Sequence, residues 1–143
     1  MRIETGWHGD DYYYVVKPLH NGCRQELVMY GVRIGSRWYI AAGVFSSSVT
    51  YRSIHSSKVW DTPTSTNKKP SISTLRLALE ALKEIEDAIV EDAEGKRRFV
   101  YVDGMDERRL RVYTKVLANE KFGYKLSSVK SEYSNLPLLY KKL

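Results

Sequence analysis

The hydrophobic pattern changes period half-way along the chain. In the first half, apolar and aromatic residues come in short β-rich runs. Tyr12-Tyr13-Tyr14-Val15-Val16 is stopped by Pro18, and Asn21-Gly22 is a turn pair. Glu26 to Arg33 and Arg37 to Ala42 then flank Gly35-Ser36, so this stretch predicts a hairpin. Val49 to Ile54 is a further strand candidate, preceded by the loop-like Ser46 to Ser48. Asp61 to Pro70 holds two prolines and a cluster of hydroxyl and amide residues, and reads as a surface loop leading into a helix.

From Ser71 the period becomes helical. Leu75, Ala78, Leu79, Leu82, Ile85 and Ile89 form one stripe, Ser71 or Ser73 can cap its start, and Gly95 is the predicted stop. The acidic residues from Glu84 to Glu94 oppose the helix dipole, so the last turns are expected to be solvated. Phe99-Val100-Tyr101-Val102 reads as a buried strand closed by Asp103-Gly104. Asp106 is placed to cap a second helix with Leu110, Tyr113 and Leu117 on one face, ending by Gly123. Tyr124 to Val129 and Leu136 to Tyr140 are the last two strands. The predicted order is several strands, helix, strand, helix and two strands. The helix from Ser71 is expected to cross between neighbouring parallel strands.

Composition narrows the class. A chain of 143 residues with 43% hydrophobic and 28% charged residues is the size and make-up of a single α/β (α+β) domain over 1–143, not of a disordered polymer. No uncharged run is long enough to cross a bilayer. The single Cys23 excludes an internal disulfide, and the three histidines have no metal-motif spacing, so no metal site is expected. The N-terminal residues do not resemble a secretory leader, which makes the cytoplasm the expected compartment. A net charge of +6 favours anionic partners, either nucleic acid or a phosphorylated cofactor. The chain has eleven tyrosines and three tryptophans, and Tyr12, Tyr14, Tyr30, Trp38, Tyr39, Tyr51 and Trp60 interleave with Arg24, Arg33, Arg37, Arg52 and Lys58, a mixture also found in single-strand-binding sheets.

The second half resembles the GNAT (general N-acetyltransferase) family. The order strands, loop and helix, strand, helix, closing strand pair is similar to that of the family. So is the stretch Asp106-Glu107-Arg108-Arg109-Leu110-Arg111-Val112-Tyr113 followed by Phe122-Gly123-Tyr124. Asp106 stands where the family signature has Asn, Tyr113 where it has Tyr, and Gly123-Tyr124 where it has Gly-Phe, with a longer spacing before the glycine. The overall look is similar to small GNAT-like proteins of tailed phages.

The resemblance implies a mixed central sheet of six to seven strands with two main helices, acetyl-CoA as acyl donor, and a host protein as target. It implies Tyr113 as the general acid that protonates the leaving thiolate; the alternative is that Tyr113 packs with Leu110 and Leu117. His55 is the general-base candidate. The pyrophosphate would lie on the start of the Ser71 helix. There the family has glycines, whereas this chain reads Asn67-Lys68-Lys69-Pro70-Ser71-Ile72-Ser73-Thr74. Lys68 and Lys69 would supply charge, and Ser71, Ser73 and Thr74 hydroxyls. The missing glycines also suit a catalytically inactive relative that binds and inhibits a host protein, and the basic-aromatic mixture a nucleic-acid-binding module.

Overall fold

Alternation of side chains builds the sheet. In the computed structural model, which describes residues 2–19, 25–46, 72–104 and 106–143, seven strands pair edge to edge. They are β1 (Gly6–His8), β2 (Tyr12–Pro18), β3 (Gln25–Ile34), β4 (Arg37–Ser46), β5 (Phe99–Val102), β6 (Lys125–Lys130) and β7 (Pro137–Lys142). Helix α1 (Ile72–Ala93) precedes β5 and α2 (Glu107–Leu117) follows it. The strand order is β1-β2-β3-β4-β5-β7-β6. The class is therefore α+β, a mixed sheet with two helices, as expected.

The predicted hairpin is β3–β4, paired from Gln25–Ser46 to Ile34–Arg37 around Gly35, whose φ of 64° suits glycine. Every pairing is antiparallel except β4–β5, which runs parallel from Arg37–Phe99 to Ile40–Val102. A parallel pair needs a crossover, and α1 lies within it, also as expected. The strand predicted at Val49–Ile54 lies outside the described residues.

Both helices cover the same face. Val15, Leu27, Met29, Trp38, Ile40, Val100, Val102 and Leu139 point at Leu82, Ile85 and Ile89 of α1 and Leu117 of α2. The opposite face has a smaller cluster of Ile3, Tyr14, Val28 and Phe45. Along α1 the stripe is unevenly buried: Leu82, Ile85 and Ile89 are fully covered, while Leu75, Ala78 and Leu79 near its start are half-buried.

The acidic end of α1 is solvated as expected at Asp87, Glu91, Asp92 and Glu94, and Glu86 is the exception. Glu86 is only 5% exposed. Its carboxylate accepts from the Tyr124 hydroxyl (2.6 Å) and from Lys141 Nζ (2.8 Å). Glu84 also pairs with Lys17 on β2 at 2.8 Å.

Asp106 caps α2 as predicted, its carboxylate accepting from the Arg109 backbone N–H at 2.7 Å. Just before it, Gly104 lets α2 approach closely. A Cβ there would lie 2.8 Å from the Leu110 backbone, so only glycine joins β5 to α2 at this distance.

Candidate functional site

The site forms where β4 runs on past the end of β5. β5 ends at Val102, and the Asp103 N–H donates the last link to the Ile40 carbonyl at 3.2 Å. β4 continues from Ala41 to Ser46. The early turns of α1 and one face of α2 close over this overhang of β4, leaving a cavity of about 40 Å³. Its walls include Ile40, Ala42, Leu75 and Leu79, and its polar members are Asp103 and Tyr113.

Tyr113 is placed by the cap and length of α2. It lies on the stripe with Leu110 and Leu117, and is half-buried rather than fully enclosed. Burial pushes its phenol pKa up; Asp106 and Asp103 add to the rise, and Arg109 opposes it. The phenol therefore keeps its proton at neutral pH.

Asp103 is the residue that sequence reasoning missed. It looked like the closing residue of a strand, but it borders the cleft, and its carboxylate accepts from Ser131 Oγ. Ser131 is itself buried, and its oxygen accepts from the Tyr133 and Ser134 N–H groups at 3.1 and 3.2 Å. The β6–β7 loop is thereby tied to the end of β5. A carboxylate directly after an apolar strand was the available signal.

Of the sequence-predicted site residues, His55, Lys68, Lys69 and Ser71 lie outside the described residues. Ser73 and Thr74 are in the first turn of α1, immediately before the cleft residue Leu75. The basic residues of α2 do not act as a unit: Arg109 pairs with Asp106 at 3.4 Å, whereas Arg108 and Arg111 are exposed. Asp11, one of the two adjacent carboxylates near the N-terminus, pairs with Arg33 at 2.8 Å. Among the described residues no cluster of His, Cys, Asp and Glu could hold a metal ion, and no helix is long and apolar enough to cross a membrane.

A second phenol, on the other face of the sheet, is also shifted by Asp103. Tyr30 on β3 is pushed up to about 12, first by burial and then by Tyr133, Tyr12 and Asp103. Because its folded-state pKa lies above the ordinary 10, its contribution to stability is complete below pH 10 and is lost as pH rises towards 12. Wild-type protein is expected to lose roughly 2 kcal/mol more than the Tyr30→Phe variant over that window. Urea unfolding at about pH 9 and about pH 12 measures the difference; identical losses in both proteins would contradict it.

Comparisons with family models, curated proteins and solved structures find no match to this chain.

Proposed function

We propose that this chain is a GNAT-like N-acetyltransferase that takes its acyl group from acetyl-CoA and acts on an amine of a host protein, in the setting of a phage or similar element. The observation that carries this reading is that Tyr113 and the early turns of α1 line one cleft, beside the part of β4 that runs beyond the end of β5. The parallel pair inside an otherwise antiparallel sheet, with a helix on each side of β5 in sequence, supports the same reading.

The cleft fits the small end of the donor. About 40 Å³ is room for roughly three water-sized atoms, the size of an acetyl group, and the wall is apolar where a methyl group would rest. Ser73 and Thr74 are the described members of the phosphate site that the resemblance implies. Acetyl-CoA supplies a thioester, which an amine attacks directly. Tyr113 holds a proton that it can give to the departing sulfur.

A second reading, a GNAT-like protein that binds and inhibits a host protein without catalysis, is favoured by the small cavity and by the absence of glycine from Asn67 to Thr74. Titration calorimetry with acetyl-CoA separates the two. Saturable one-to-one binding is the expected result; no heat at millimolar ligand removes the enzyme and leaves the binder.

A further inference from the structure

The face of the sheet opposite the helices carries two rows of side chains fixed by strand register. The outer row runs Ile34, Arg37, Phe99 and Lys142 across β3, β4, β5 and β7. The inner row runs Val32, Tyr39, Tyr101, Tyr140 and Lys125. These positions alternate with Trp38, Ile40, Val100 and Leu139, which face the helices, so both rows point the other way. Among the described residues no helix packs on this side.

The inner row is rigid. Tyr39 and Tyr101 stack at 5.4 Å, and Tyr101 and Tyr140 at 6.0 Å. Arg37 lies 5.5 Å from the Tyr101 ring centre and hydrogen-bonds the Tyr39 side chain, which raises its pKa further. The guanidinium is thus held in place while remaining exposed. In the outer row, the half-exposed ring of Phe99 is flanked by Arg37 on one strand and Lys142 on the other. Lys125 and Lys142 are exposed, and neither row holds an acidic residue.

We propose that this end of the open sheet face binds single-stranded nucleic acid. A base stacks on Phe99, and successive phosphates pair with Arg37, Lys142 and Lys125. The chemistry that selects this partner is the alternation of an aromatic ring with fixed cations across adjacent strands. Phosphates need the charge, and only a polymer with planar bases also uses the ring. A duplex keeps its bases stacked and gains only the charge term. The surface lies on the opposite side of the sheet from the helices that close the cleft, so the proposal stands or falls independently of the acetyltransferase reading.

The test is fluorescence anisotropy with a labelled single-stranded oligonucleotide, a duplex of the same sequence and polyphosphate as competitor. Three phosphate contacts give a slope of log affinity against log salt of about −2, so raising salt from about 50 to about 200 mM weakens binding roughly fifteenfold. Arg37→Ala combined with Lys142→Ala flattens the slope to about −0.7. Phe99→Leu weakens single-strand binding roughly tenfold but leaves the salt slope and any duplex binding unchanged. Circular dichroism of each variant establishes that the fold is kept, and Phe99→Tyr, which preserves the ring, restores binding if Leu alone disturbs the strand. No single-strand binding at low salt overturns the proposal. So does binding that ignores Phe99, or polyphosphate competing as well as an unlabelled oligonucleotide.

Discussion

Tyr113→Phe is expected to lower acetyl transfer by about 10²–10⁴-fold, the range for loss of a positioned proton donor. Affinity for acetyl-CoA is expected to stay within about twofold of wild type. The substitution keeps the ring between Leu110 and Leu117, so the packing of α2 survives and only the hydroxyl in the cleft is lost. The pH profile is the stricter readout. Because burial raises the Tyr113 pKa, the wild-type proton donor stays loaded up to pH 10 and is lost only above it. The Phe variant lacks that alkaline limb. A variant as active as wild type, with the same alkaline limb, would mean that Tyr113 serves packing alone.

Glu86→Ala is expected to cost about 3 kcal/mol of stability, which for a domain of this size lowers Tm by roughly 8 °C. The carboxylate is the hub of a buried triad. Its removal strands the Tyr124 hydroxyl, which is 2 % exposed as a residue, and leaves Lys141 Nζ without its anion. Lys141 keeps a quarter of its side-chain exposure and can recover part of the loss in water, which is why the figure sits at the lower end of the range for a broken buried pair. Burial, with the neighbouring carboxylate, also raises the Tyr124 pKa, so the phenol stays a donor across the ordinary pH range. Glu86→Gln retains an acceptor for Tyr124 but loses the charge facing Lys141, and falls between the two. Urea denaturation measures all three proteins; an Ala variant within about 0.5 kcal/mol of wild type would show that the triad contributes nothing net.

Local chemistry made much of this fold legible. Gly35-Ser36 between two β-rich runs marked the β3–β4 hairpin, the leucine and isoleucine stripe marked α1, and Asp106 marked the start of α2. The parallel neighbour relation of β4 and β5 followed from crossover geometry. β1 escaped because three residues leave no room for an alternating pattern; Gly6–His8 is a strand only by pairing with Tyr12–Tyr14. Glu86 was misjudged because a run of acidic residues on a helix looks solvated until a tyrosine 38 positions further on folds back to it. Asp103 escaped for the same reason, since its partner Ser131 and its neighbour Tyr113 meet it only through space. The open sheet face was hidden differently. Alternation separates one face from the other but does not say that both helices choose the same one.

The central claim is that acetyl-CoA occupies the cleft between α1, α2 and the part of β4 beyond the end of β5. Hydrogen exchange with and without saturating acetyl-CoA tests it most directly. The account predicts slowed exchange at the amides of Ser73 to Ala78 and at the end of β4 beyond Ile40, with the edge strand β6 unchanged. Protection confined to other elements, or none under conditions where calorimetry reports binding, would contradict it.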